Sequence, residues 1–363
     1  MITTVISFIV ILAILVLVHE FGHFIASKKS GVLVEEFGFG LPPRVWGKKI
    51  GETLYSINLL PIGGFVKVYG EEYHQIDDKA PQKTTSLPHK DRAFIYKKPW
   101  QKILILTAGI IGNFLLGWIL ISYLFTQGVP TPSDKVIVEQ VQANSPASAI
   151  GLHPKDEIIS MSKDGKEYNL KSTQDLINYT KKFGDQAVSI KIRTNNGVRT
   201  AVVTPRKNPP AGQGSLGVVV SSFVEKKYTW YEAPFFGLIE AFNMTRHIAT
   251  ELLRTVAQLV TFQHPQVDVA GPIGIARYTG QALKVGSNAV LELIALLSLN
   301  LAVVNILPFP ALDGGRLAFV LYEVVTKKRV NQKLERNLNL VGFLILLALA
   351  AVISVFDIIR IYR

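Results

Sequence analysis

The sequence predicts a polytopic α-helical membrane protein with four transmembrane helices, a short apolar β-hairpin and one inserted extracytoplasmic α+β domain. Three observations carry that class. Apolar residues make up 48% of the 363 and gather in blocks long enough to cross a bilayer. Basic residues crowd the short loops beside those blocks, so the net charge of +12 follows the positive-inside pattern and does not mark a nucleic-acid partner. Between the second and third blocks lies a long stretch of alternating residues and turn signals that reads as a soluble domain. Cysteine is absent, which excludes disulfides and thiolate metal sites.

The first span covers about residues 2–27, apolar to residue 18 except for Thr3, Thr4 and Ser7. No basic residue precedes it and no A-x-A site follows, so it is expected to remain as a span and not be cleaved as a signal peptide. It ends in His19-Glu20-Phe21-Gly22-His23, an H-E-x-x-H pattern. On a helix the two histidines lie one turn apart on one face and can reach one tetrahedral Zn²⁺. Glu20, beside the first ligand, is placed to take a proton from metal-bound water, whose pKa the ion lowers to about 7. A chance match at the edge of a signal anchor is the competing reading. Ionisable residues at membrane depth are costly, however, and functional by default.

Residues 51–69 read as two strands, 54–60 and 65–69, joined by Pro61-Ile62-Gly63-Gly64. The segment is apolar but too short to span. Its free edge either pairs with an extended substrate or is ordinary hairpin surface. Residues 71–90 carry no motif, and His74 and His89 read as solvated. The second span, about 103–125, contains Gly109 and Gly112, which suit close helix packing, and Asn113, a polar group that needs a partner: a neighbouring helix or a substrate backbone.

Residues 129–210 form the inserted domain. Ser145-Pro146-Ala147 opens a turn and short helix, Asp164-Gly165 and Asn195-Asn196-Gly197 mark hairpins, and Ser172 with Asp175 caps a helix through Phe183. A connector, 211–287, carries a charged amphipathic helix at about 235–262, with His247 and His264 expected to be exposed. The third span, about 289–307, ends in Asn305-Ile306-Leu307-Pro308-Phe309-Pro310-Ala311-Leu312-Asp313-Gly314-Gly315, and the fourth covers about 338–359. The basic loops between spans one and two and between three and four are expected in the cytoplasm, with the inserted domain and both termini outside. An H-E-x-x-H site needs a third protein ligand that leaves one position open. Asp313 is the carboxylate in apolar surroundings on the same predicted side as His19, so topology nominates it.

With these motifs assembled, the chain resembles the bacterial site-2 proteases, and is similar to the regulator-of-sigma-E protease group. H-E-F-G-H, N-x-x-P-x-P-x-L-D-G and an inserted domain similar to bacterial PDZ domains carry the resemblance. Phe37-Gly38-Phe39-Gly40 and Gly271-Pro272-Ile273-Gly274-Ile275 support it. In the S-P-A-x-x-A-G-L-x-x-G-D-x-I stretch of the PDZ pattern, Ile150 stands for Ala and Lys155 for Gly. The resemblance implies a Zn²⁺ held by His19, His23 and Asp313, Glu20 as catalytic acid/base, and Asn113, Asn305, Pro308 and Pro310 holding an unwound substrate. It implies that hairpin 51–69 is membrane-reentrant. The N-terminal membrane core would be 1–128 and the C-terminal core 288–363.

The implied activity is regulated intramembrane proteolysis in the bacterial inner membrane, with the active site near the cytoplasmic side. Substrates would be single-span membrane proteins, such as anti-sigma factors or signal-peptide remnants, after a first extracytoplasmic cut. The PDZ domain would bind an extended peptide or trimmed substrate terminus. Some relatives carry two tandem PDZ domains; one is read here. The alternative is a membrane-tethered PDZ scaffold with an inactive metal site.

Overall fold

Aliphatic residues without proline or glycine before Gly22 make the first element one helix, α1 (Ile2–Lys29), with Lys28 and Lys29 against the negative end of its dipole. The computed structural model describes residues 2–71, 89–261, 270–328 and 330–361; His74 and His264 lie outside the described residues. The chain divides into two compact units, Phe125–Thr229 and the two flanking segments together.

After α1, β1 (Val34–Ile50) and β2 (Thr53–Val68) meet at a tight turn and form a two-stranded sheet that folds on itself. Residues 46–49 run antiparallel to 54–57, and residues 36–39 pair with both 54–57 and 64–67. Four rungs result, in the order 46–49, 54–57, 36–39, 64–67. The expected pairing of 54–60 with 65–69 is therefore not formed: residues 36–39 fill the space between them. Gly38 leaves room for the Phe65 ring and the Ser56 hydroxyl on its neighbours, and a central rung satisfies backbone groups on both sides. Arg44 reaches both oxygens of Glu36, at 2.9 and 3.0 Å, across the bend in β1. Val45, Trp46, Ile50 and Leu59 leave much apolar surface exposed. The second long helix, α2 (Pro99–Gln127), follows.

Unit Phe125–Thr229 is built on one six-stranded sheet and two short helices. Its elements are β3 (Val129–Val141), α3 (Pro146–Ala149), β4 (Glu157–Lys163), β5 (Lys166–Asn169), α4 (Thr173–Lys182), β6 (Val188–Thr194), β7 (Gly197–Val203) and β8 (Val218–Lys226). The strand order is β7-β6-β4-β3-β8, with β5 on β4. Val136, Ile158, Met161, Leu176, Ile190 and Ile192 fill the core. Ser172 and Asp175 make a reciprocal capping box at the start of α4. The two expected turns sit where Lys163 pairs with Lys166 and Thr194 with Gly197. The unit runs past residue 210 because β8, which the sequence reading left in the connector, pairs with β3.

The rest of the chain is helical. α5 (Ala233–Val260) is long, but charged residues interrupt it and His247 is exposed on it. α6 (Pro272–Val285) starts at Gly271-Pro272, and α7 (Ser287–Ile306) follows. α8 (Asp313–Thr326) was not expected, and α9 (Gln332–Ile361) closes the described chain. The buried Asp357 carboxylate of α9 accepts from the backbone N–H of Gly271 (3.0 Å) and Gly274 (2.7 Å), supplying the cap that α6 lacks in its own sequence. Among the described residues four helices are long and apolar enough to cross a membrane: α1, α2, α7 and α9, with mean hydropathies of 2.8, 2.2, 2.1 and 2.7.

Lys155 holds φ +77°, and its N–H donates to Val138 O at 2.7 Å. A left-handed residue with a Cβ costs roughly 1–2 kcal/mol, against about 0.5–1 kcal/mol of extra chain entropy lost by glycine. Lys155→Gly is expected to raise the stability of this unit by about 0.5–1 kcal/mol, read as a higher urea midpoint with unchanged slope. A lower midpoint would show that the lysine makes compensating contacts.

Candidate metal centre

Helical spacing in α1 sets His19 and His23 on one face, with Nε2 atoms 3.2 Å apart. Asp313 Oδ2 lies 3.0 Å from His19 Nε2 and 3.2 Å from His23 Nε2. The side chains are only 12% exposed for the histidines and 20% for the aspartate. Bonds of about 2.0–2.1 Å to a tetrahedral ion put its ligand atoms about 3.3–3.4 Å apart, so this triangle fits one face of such a site. Two nitrogens and one carboxylate oxygen are also ligands that Zn²⁺ accepts.

The surrounding hydrogen bonds decide what these atoms offer. His23 Nδ1 lies 2.8 Å from the Ile105 carbonyl, which can only accept, so Nδ1 carries the proton and neutral His23 presents a lone pair at Nε2. Among the described residues Asp313 Oδ2 is buried without a hydrogen bond of good geometry, although both imidazoles are within ion-pair distance. With Nδ1 protonated on each imidazole, the two Nε2 atoms and Oδ2 all present lone pairs to the same point, as a cation would require. His19 Nδ1 lies 3.3 Å from Asn113 Nδ2, while Asn113 Oδ1 is buried without a partner among the described residues. Turning the amide over lets Oδ1 accept from Nδ1–H of His19, which satisfies the orphan oxygen and frees Nε2 for a metal.

Two close approaches make the triangle possible. A Cβ on Gly109 of α2 would sit 2.8 Å from His19 Cε1 and closer still to His23 Nε2, so only glycine admits both imidazoles. Around Asp313 the chain leaves α7, passes Pro308 and Pro310, and enters α8. Gly314 and Gly315 lie too close to the carbonyls of Ile306, Leu307 and Phe309 for any side chain. That tight return places Asp313 as the first residue of α8, where a carboxylate suits the positive helix end. The sequence reading attached this residue to the third span; the structure gives it a helix of its own.

Glu20 lies within electrostatic range of His19, His23 and Asp313, and its side-chain stem is 3.3 Å from where a Cβ on Gly64 of β2 would be. The 64–67 rung of the folded sheet thus passes the candidate acid/base. Asn305 is in the last turn of α7, Pro308 is exposed and Pro310 is partly covered. Asn113 is fully buried beside His19, and its backbone carbonyl accepts from Ser298 Oγ of the neighbouring helix α7 at 2.7 Å. Sequence reasoning missed Ile105 as a partner, because a backbone carbonyl leaves no residue-type signal.

The profile of the family described as Peptidase family M50 matches residues 7–349. A protein of Clostridium perfringens, provisionally named a zinc metalloprotease, is 35% identical over 95% of both chains. One of Clostridium acetobutylicum, similarly named, is 30% identical over 95% of this chain and 94% of its own. Zinc metalloprotease RasP of Bacillus licheniformis is 29% identical over 99% of both chains. Among solved structures, the PDZ domain of an SdrC-like protein from Listeria innocua is 28% identical, covering 24% of this chain and 93% of that one. Its TM-score is 0.20, too low to carry an argument about fold.

Asn113→Ala removes the group beside His19 and is expected to weaken metal binding about 10–100-fold, measured by competition against a chromophoric zinc chelator. Asn113→Asp, which can still accept from Nδ1–H, is expected to restore most of it. Unchanged affinity in the alanine variant would show that Asn113 does not orient His19.

Proposed function

Because this chain belongs to peptidase family M50, we propose that it is an endopeptidase that cuts single-span membrane proteins within or at the edge of the bilayer. It is a zinc metalloprotease with helices long and apolar enough to span a membrane. The observation that carries the finer reading is the convergence of His19, His23 and Asp313 beside helices of spanning length. These three residues would hold Zn²⁺, which when bound supplies Lewis acidity and a water that ionises near pH 7.

The remaining chemistry falls to the chain's own groups. Glu20 accepts a proton on its carboxylate and returns it to the leaving amine. Asn113 and the Ile105 carbonyl keep the imidazoles in the tautomer that exposes Nε2. A substrate must arrive extended, because a helical peptide bond is already hydrogen-bonded and shielded. The folded sheet supports that requirement: its 64–67 rung lies at Glu20 and pairs on one side with 36–39, which suits strand addition by a substrate. Its exposed apolar residues favour a reentrant position in the membrane. Asn305, Pro308 and Pro310 would hold the unwound segment. The unit Phe125–Thr229, as a PDZ-like domain, would select or dock substrates from outside, after a first extracytoplasmic cut.

Glu20→Gln is expected to keep stoichiometric zinc and lose about 10²–10⁴-fold in cleavage rate. Asp313→Ala is expected to lose zinc and activity together. Elemental analysis beside a cleavage assay separates the two. Wild-type turnover in the first, or full zinc in the second, would remove that residue from its role.

The placement of sides is checked by labelling. The chain has no native cysteine, so Lys98→Cys should react only from the cytoplasm and Asn195→Cys only from outside. The reverse pattern would overturn the proposed orientation.

A further inference from the structure

Away from the metal centre, the start of α2 and the end of α8 enclose a cavity of about 270 Å³. Four lysines line it, Lys97, Lys102, Lys327 and Lys328, against one carboxylate, Glu323. Two of the ammonium groups are fixed in place. Lys97 Nζ donates to Gly31 O at 3.0 Å, and Lys102 Nζ, 12% exposed, lies 3.5 Å from Glu323 and over the ring of Phe94. Each ammonium has three donors, so both keep capacity for a further acceptor. Glu335 is also within electrostatic range of Lys102 and Glu323, but among the described residues the lining itself keeps an excess of cations over its one carboxylate.

Its position indicates what would neutralise it. The cavity opens at the N-terminal end of the α2 span, where Tyr96 and Trp100 are exposed as aromatic residues are at headgroup depth. α8 is too short to cross a membrane: its 14 residues extend about 21 Å against a core of about 30 Å. It nevertheless exposes Leu321, Tyr322, Val324 and Val325. A helix with an apolar exposed face and a lysine-rich end is built to lie in the interfacial plane. Apolar surface beside a basic cavity matches a molecule with acyl chains and an anionic head, which free phosphate and a polar peptide lack.

We propose that this cavity binds the phosphate of an anionic phospholipid, with the acyl chains against the exposed face of α8. The site is independent of the proteolytic reading.

The test uses the delipidated full chain in detergent and native mass spectrometry. One phosphatidylglycerol per chain should be retained at least 10-fold more strongly than phosphatidylcholine. Lys97→Gln/Lys327→Gln/Lys328→Gln should abolish that preference, and the corresponding triple arginine variant should keep it. Equal retention of the two lipids, or an undiminished preference in the glutamine variant, would overturn the proposal. Displacement of the lipid by inorganic phosphate alone at millimolar concentration would assign the site to a free anion and refute the lipid. A variant that keeps all four lysines guards against misfolding: with Trp46, Trp118 and Trp230 changed to Phe, brominated phosphatidylglycerol should quench Trp100 more than brominated phosphatidylcholine. Equal quenching would again sink it.

Discussion

Three electron-pair donors meet beside helices of membrane-spanning length, and much of the membrane unit is arranged to let them. The Nε2 atoms of His19 and His23 and the Oδ2 atom of Asp313 stand 3.0–3.2 Å apart. Lone pairs that close repel one another unless a cation sits among them, and a low-dielectric setting amplifies both the repulsion and its relief. A cation at this point would relieve that repulsion, and in the proposed reading the neighbours act by keeping protons off the inward-facing atoms. The Ile105 carbonyl would do so for His23, and Asn113 with its amide turned over would do so for His19.

That demand reaches into the packing. α2 must approach α1 so closely that Gly109 leaves the space the imidazoles use, and the turn from α7 to α8 must close so tightly that Gly314 and Gly315 touch the carbonyls behind them. The close approaches are those of helix pairs in lipid, where small residues at contacts replace the hydrophobic drive. Ser298 and Asn113 add a hydrogen bond between α7 and α2 at the same level, which ties the back of His19 to the helix that leads to Asp313.

The helices were the most legible part of the chain, because a long apolar run fixes length and class together. The three residues that converge were legible too: two histidines at i and i+4 need no tertiary information, and an aspartate after two prolines stands out against apolar neighbours. What escaped was pairing at a distance. Residues 36–39 form the middle of the folded sheet, yet nothing local says that a strand will insert between 54–57 and 64–67. β8 belongs to a domain whose other strands end near residue 203, and its partner β3 lies some 80 residues earlier. Asn113 was visible as a polar group that needs a partner, but which helix would supply it depends on packing. Lys155 shows the converse: a departure from the PDZ-like pattern became interpretable once its φ was known.

The donors come from the two ends of the chain. His23 and Asp313 are 290 residues apart in sequence, with the unit Phe125–Thr229 threaded between them. An ion held by both therefore closes a very large covalent loop. The entropy of such closure grows only with the logarithm of length, about 0.6 kcal/mol for each doubling. A long insertion in that loop is consequently inexpensive, and swapping or duplicating the inserted unit alters the cost of gathering the ligands by little. The two flanking segments can keep these three residues together while the material between them is free to diversify.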